Sequence, residues 1–375
     1  MDWMSLLYQL DGWTLLRTLA AFAFAALLIP LSLPIANRLG LYDIPGGRKQ
    51  HELPTPYVGG AVILVAILLS MLIFDRYLTT ANLVFCLCSA GLVVVGLADD
   101  RYDLSWRLRI GVQVLVTLGM IFYANARVQN LDDVFGIPNL YLGWWVSVPF
   151  TIFIAVGVIN ALNMIDGSDG LAGGQVLISV LLFAAFALYG GNIVTAERLL
   201  AVAGAVAGFL LWNARFPWQP RARVFLGNAG SMLLGFIIAW TSVRLTQNAA
   251  HPVSPVLGPW TIAFPLIDCV TLMFRRVRQG RSPFSADRDH MHHLLLDAGY
   301  SPSQIAWGLA GLSLLLGLAA GMAVKMGVYR PSLVVTFLLA IAAYYWFSSK
   351  RERAVTFLER CRLRFLPGKP NPRLI

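Results

Sequence analysis

The amino-acid sequence predicts an all-α, polytopic membrane protein of about eleven spanning helices, and three observations carry that expectation. Of 375 residues, 58% are hydrophobic and 13% charged, where a water-soluble domain carries roughly 25% charged residues. Apolar runs of spanning length, about 20 residues each, recur from end to end. They fall at 14–37, 57–74, 80–98, 108–125, 144–162, 171–189, 196–213, 229–246, 257–274, 305–326 and 332–348. The polar motifs follow the first, third, fifth, seventh and ninth of these runs, so the chemistry gathers on one face.

An odd number of spans puts the termini on opposite sides. All but seven of the 29 Lys and Arg residues follow odd-numbered spans or lie in the tail; the exceptions are Arg17, Arg76, Arg127, Arg198, Arg244, Lys325 and Arg330. Basic loops mark the cytoplasmic side. The N-terminus is therefore expected in the periplasm and the C-terminus in the cytoplasm, in a bacterial inner membrane. The first 40 residues lack a basic n-region and a small-residue cleavage site, so the first span is expected to be retained. We expect one transmembrane catalytic domain, 1–348, and a basic cytoplasmic tail, 349–375. The net charge of +10 follows from this topology and an anionic ligand, without nucleic acid. Cys86, Cys88, Cys269 and Cys361 have neither disulfide-framework nor metal spacing and read as reduced thiols.

After the third span comes Ala98-Asp99-Asp100-Arg101, with Asp103 close by. Adjacent carboxylates suit a hard cation such as Mg²⁺, which takes oxygen ligands; the plainer alternative is a helix cap or solvated loop. Their place at the end of an apolar run, where uncompensated charge is costly, favours function. After the fifth span, Asn160-Ala161-Leu162-Asn163-Met164-Ile165-Asp166-Gly167-Ser168-Asp169-Gly170 places two Asn, then two Asp, at i, i+3 spacing. Residues so spaced share a helix face, and the glycines permit a tight turn. An EF-hand is excluded because its other ligand positions and terminal Glu are absent.

Before the eighth span, the run Arg221 to Ser231 includes Gly227-Asn228-Ala229-Gly230. Such a turn into a helix offers free N–H groups to a phosphate, although Gly and Ser also serve helix packing in membranes. The longest loop follows the ninth span and packs five arginines and three histidines into residues 275–293, ending Asp289-His290-Met291-His292-His293. This suits a polyanion, although topology alone also recruits arginines. Zinc is disfavoured, because HExxH is missing and no cysteine lies near. After the first span, Lys49 and His51 are candidate lipid-phosphate contacts, or simply headgroup-facing residues. Carboxylates for Mg²⁺, Arg and His for a diphosphate, and placement at a membrane surface together imply phosphoryl transfer to or from a lipid.

At the Asp99-Asp100 pair, the NxxDGxDG run and the Ser-Pro-Phe-Ser stretch leading to His290-Met291-His292-His293, the chain resembles the polyprenyl-phosphate N-acetylhexosamine-1-phosphate transferase superfamily. The likeness spans nearly the whole chain and is strongest to members that use UDP-GlcNAc and undecaprenyl phosphate. It implies transfer of GlcNAc-1-phosphate to give GlcNAc-diphosphoundecaprenol and UMP, with Mg²⁺ as cofactor and Mn²⁺ as a substitute. That reaction is the first membrane step of O-antigen or enterobacterial common antigen synthesis. By motif position, Asp99, Asp100, Asp169 and the residue at 228 belong to the metal. Asp99, Asp100, Asp166, Asp169 and His290 belong to catalysis. Lys49, His51, Asn163, Arg276, His292 and His293 belong to substrate binding. UDP-GlcNAc, undecaprenyl phosphate and membrane lipids are the expected partners, and a homodimer is compatible.

Another UDP-N-acetyl sugar would fit the same pattern. A transporter predicts ionisable groups at the bilayer midplane, whereas Asp268 is the lone acid well inside an expected span. A CDP-alcohol phosphotransferase would need DGxxAR, but Asp169-Gly170 is followed by Leu171-Ala172-Gly173. One residue departs from the family pattern: Asn228 stands where Phe-x-Gly-Asp-x-Gly has Asp. An amide oxygen still ligates Mg²⁺ but lacks the charge that strengthens the bond. This marks either a natural variant with an altered metal site or an introduced substitution that suppresses turnover. In an assay of UMP release, Asn228→Asp is expected to raise the rate at least tenfold, and equal rates would refute a ligand role for position 228.

Overall fold

The computed structural model describes residues 10–43, 54–75, 77–250, 253–283, 285 and 287–365. The protein is an all-α, multi-pass membrane protein. Its helices are α1 Gly12–Leu39, α2 Gly59–Phe74, α3 Thr80–Tyr102, α4 Trp106–Ala124, α5 Trp144–Ile165, α6 Leu171–Tyr189, α7 Ile193–Asn213, α8 Gly227–Thr246, α9 Leu257–Thr261, α10 Ala263–Arg278, α11 Met291–Asp297, α12 Pro302–Lys325, α13 Arg330–Ser348 and α14 Arg351–Phe365. A two-residue antiparallel hairpin, β1 Tyr42–Asp43 and β2 Thr55–Pro56, lies between α1 and α2.

Every expected span is helical, and among the described residues nine helices are long and apolar enough to cross a membrane. The two others differ for physical reasons. Helix α2 has 16 residues, about 24 Å at 1.5 Å per residue, which is short of a bilayer core of about 30 Å. The expected ninth span, 257–274, is broken: α9 ends at Thr261, Ile262 leaves the helical region, and α10 continues to Arg278. Pro265 has no N–H to give the Thr261 carbonyl four residues back. The Ser179 hydroxyl donates to that carbonyl instead, at 2.8 Å.

Helix α8 is the most enclosed of the spans and α13 the least. Small residues let backbones meet, as is common where lipid gives helices no hydrophobic reason to associate. A Cβ at Gly60 would overlap the Gly230 backbone, and one at Gly96 would overlap Ala229. These two approaches bring α2 and α3 directly against the first turn of α8. At the end of the molecule away from the motifs, buried Asp75 pairs with Arg17 at 2.9 Å and Arg198 at 3.2 Å. Arg244 donates to the Ala124 carbonyl at 3.2 Å. Three of the seven basic residues outside the motif side are thus tied down inside the protein.

Helix α14 leaves the membrane-spanning bundle and packs on α11. Arg351 pairs with Asp297 and, at 2.9 Å, with Asp289, and the Arg362 Nε donates to the Ala298 carbonyl at 3.0 Å. Gly96→Leu is expected to lower the unfolding midpoint in detergent, because the core must open where two backbones touch; overpacking costs about 1–3 kcal/mol at ordinary sites. Gly91→Leu, at an open position of the same helix, is the control and should leave the midpoint unchanged.

Candidate active site

The site begins with an unmet backbone need. The first N–H groups of a helix have no partner within it, and the start of α8 is half-buried at the motif end. Gly227 turns into the helix with φ +73°, a conformation that favours glycine. The Asn228 and Ala229 N–H groups then donate to the two oxygens of Asp100, at 2.8 and 3.2 Å. A carboxylate from α3 therefore caps α8, an arrangement worth about 1–2 kcal/mol by analogy with local caps and helix-dipole contacts. The phosphate site expected at this turn is corrected accordingly: these two N–H groups already serve Asp100.

From the end of α5, the Asn163 Nδ2 donates to the Asn228 Oδ1 at 2.7 Å and to the Ser231 Oγ at 2.8 Å. Asn163 thus clips the α5 end to the first turn of α8. Asp166 follows as the C-cap of α5. No hydrogen bond or ion pair holds its carboxylate among the described residues, and burial, with Asp100 and Asp169 nearby, pushes its pKa up to about 8. Asp169 is better compensated. Arg215 approaches it at 2.6 Å and the Ala222 N–H at 3.0 Å. Asp99 points elsewhere, onto Arg109 at 3.0 Å, with its side chain nearly enclosed.

Opposite this acidic pole stands a basic one built by α10, α11 and the segment between them. Arg276 is buried; its Nε donates to Asp287 at 2.7 Å and its Nη1 to the Pro283 carbonyl at 2.8 Å. Its Nη2 lies 3.5 Å from the His290 Nε2. The His290 and His292 rings stack with centroids 5.6 Å apart, and His292 and His293 lie at 4.0 Å. Burial drives His292 down to about 3 and His293 down to about 4, with the neighbouring histidines adding to the shift. Both rings are neutral at pH 7, each with one N–H to give. Among the described residues, neither nitrogen of His292 has a protein partner.

The two poles meet at Gly167. A Cβ there would sit 2.8 Å from the His292 Nε2, so the missing side chain lets an imidazole touch the NxxDGxDG loop. Lys49 and His51 lie outside the described residues.

The glycosyl transferase family 4 profile matches residues 82–246, from α3 through α8. A protein of Escherichia coli O157:H7 named undecaprenyl-phosphate alpha-N-acetylglucosaminyl 1-phosphate transferase is 34% identical over 362 residues, covering 94% of this chain and 96% of its own length. Proteins of the same name from Salmonella typhi and Yersinia pestis are each 33% identical, over 94% and 93% of this chain and 96% and 95% of their own lengths. The chain belongs to glycosyl transferase family 4.

For a family member expected to use a divalent cation, the donor set allows a direct check. Among the described residues, no three His, Cys, Asp or Glu side chains gather closely enough to hold a metal ion alone. That arrangement still suits Mg²⁺, which is typically held by one or two carboxylates with water and substrate phosphates completing its shell. Asp166 fits best, as a carboxylate with no partner among the described residues and with two others near. Asp100 and the Asn228 amide lie beside the same turn, whereas Asp99 and Asp169 each already face an arginine.

Three contributors were missed in the sequence: Arg109, Arg215 and Asp268. The first two read as ordinary topology-setting charges. Asp268 did carry a signal, as a lone acid in an apolar run, but its partner was out of reach in sequence.

The neutral histidines generate a pH prediction. The folded-state pKa values near 3 and 4 lie below the ordinary value of 6.5, so on acidification the unfolded chain takes up protons first. Their contribution to stability is complete above about pH 6.5 and drains away as pH falls towards 4. The thermal midpoint should drop across that window, and the double variant His292→Gln, His293→Gln should flatten the drop.

Proposed function

We propose that this family member transfers GlcNAc-1-phosphate from UDP-GlcNAc to undecaprenyl phosphate, releasing UMP, on the cytoplasmic face of a bacterial inner membrane. The observation that carries the reading is the contact at Gly167, where the carboxylate loop meets the Arg and His cluster. One site then offers oxygen donors for a cation and N–H donors for a diphosphate, at the ends of membrane helices where a lipid phosphate can reach. The names of the relatives supply the sugar and the lipid.

The acceptor phosphate monoester has a second pKa near 6, so at neutral pH it is largely a dianion and needs little help from a base. One of its oxygens attacks the β-phosphorus of UDP-GlcNAc in line. A new P–O–P bond forms, the bond to the α-phosphate breaks, and UMP leaves with the electron pair. The obstacle is bringing two anions together. Arg276 is buried and rigid, so it holds charge in place without reorganising. His290, His292 and His293 present imidazole nitrogens to the diphosphate and sugar. Asp166, with Asp100 and Asn228, would hold Mg²⁺, which when bound supplies charge neutralisation for the donor phosphates. In this reading Asp166 would hold the cation as the carboxylate, giving up the proton that burial favours. Asp99 and Asp169 act through their arginines, shaping the loops around the metal.

Sidedness follows from the Lys and Arg placement. With the N-terminus periplasmic, the ends of α3 and α5 and the start of α8 face the cytoplasm, where nucleotide sugars are made available.

The decisive experiment uses the Asn228→Asp form in lipid nanodiscs with undecaprenyl phosphate, Mg²⁺ and a panel of UDP-sugars. UMP release is expected with UDP-GlcNAc above the other UDP-sugars, and Asp166→Asn should lower it at least 100-fold. Absence of UMP release with every UDP-N-acetyl sugar would overturn the reading.

A further inference from the structure

Asp268 lies in the middle of α10, fully buried, and no step of the proposed transfer uses it. Three segments converge on its carboxylate. The Met291 N–H donates to Oδ1 at 3.0 Å from the start of α11, and the Tyr344 hydroxyl donates to Oδ1 at 2.5 Å from α13. The His290 Nδ1 lies 2.6 Å from Oδ2. An ionised carboxylate only accepts, and three donors around it are what a buried charge requires. The proton of that third contact therefore sits on Nδ1.

With Nδ1 so engaged, Nε2 is the one nitrogen His290 has left for a ligand. It faces the Arg276 Nη2 at 3.5 Å, and its ring stacks on His292, which reaches Gly167. Tyr344 adds a second layer. Helix α13 is otherwise the least enclosed span, and its ties to the site are the Tyr344 hydroxyl on Asp268, Ser348 accepting from Arg275 at 2.7 Å, and Tyr345 accepting from Arg278 at 3.1 Å.

We propose that Asp268, backed by Tyr344, is a positioning residue that locks His290 as the Nδ1–H tautomer and so presents Nε2 as a hydrogen-bond acceptor to a hydroxyl of the nucleotide sugar. This inference rests on the transfer reading above for its effect on rate, but its structural half is independent of that reading. The neutral imidazole held this way accepts from the substrate through a fixed nitrogen, with no ring flip to undo at each turnover.

The test pairs spectroscopy with kinetics. ¹⁵N-histidine NMR of the full chain in nanodiscs, with His290 assigned by its loss in His290→Gln, is expected to show Nδ1 protonated. Asp268→Asn is isosteric, and its amide can donate to Nδ1, so the proton should move to Nε2. In the Asn228→Asp background, Asp268→Asn should lower kcat about 100- to 10,000-fold, the upper figure being the loss on neutralising the carboxylate that orients the histidine of a Ser-His-Asp triad. The KM for UDP-GlcNAc should change by less than about fivefold, Asp268→Glu should recover part of the rate, and Tyr344→Phe should keep the tautomer with a milder loss. Unfolding midpoints of the variants separate positioning from collapse. An Nε2–H tautomer in the unsubstituted chain, or a tautomer switch with kcat unchanged, overturns the proposal. A tautomer switch in a protein that transfers no sugar phosphate in any form instead sinks the transfer reading and, with it, the proposed effect on rate.

Discussion

Two N–H groups at the half-buried start of α8 have no helical acceptor. Asp100 supplies both acceptors from a different helix, and much of the molecule is arranged so that it can. Gly227 takes a left-handed turn, and a Cβ there would lie 2.6 Å from the Asp100 Oδ2, so both the turn and the approach require glycine. Gly60 and Gly96 must lack side chains so that α2 and α3 approach the same turn. Asn163 then ties the end of α5 to it through Asn228 and Ser231. One carboxylate thus fixes where three helix ends meet, and those ends carry the acidic half of the candidate site.

The two halves of the site are held by different means. On the acidic side, burial, with Asp100 and Asp169 nearby, disfavours the ionised form of Asp166. In the proposed reading a cation would meet that need. The basic side is internally satisfied: Arg276 by Asp287 and Pro283, His290 by Asp268. His292 and His293 are the exceptions: among the described residues neither nitrogen of His292 has a partner, and the Nδ1 of His293 has none. His292 also touches the acidic loop at Gly167. An unpaired buried polar group is costly, and its position between the poles is where a ligand would repay that cost.

The opposite end of the bundle shows the contrast. Arg17, Asp75 and Arg198 form a buried ion-pair cluster that joins α1 and α7 to the end of α2. No histidine accompanies it among the described residues. Paired charges there serve assembly, whereas at the motif end the charges are left partly uncompensated. This difference, more than the count of polar residues, separates scaffold from site.

The sequence alone was enough to establish the class of protein, the helical runs and the segments that carry chemistry, because each depends on local composition and on spacing within a few turns. Apolar length marks a helix whatever surrounds it, and the NxxDGxDG run is polar where a span end should not be. What only the tertiary structure decided was which charges neutralise which. Asp99 and Asp100 are adjacent in sequence, yet one faces Arg109 and the other caps α8. The span expected over 257–274 breaks where Pro265 leaves the Thr261 carbonyl free, and Ser179, 82 residues earlier, reaches it. Asp268 looked like a stray acid in an apolar helix until folding brought His290 and Tyr344 to it. Electrostatic pairing acts over a few ångströms of space, and sequence separation carries almost no information about it.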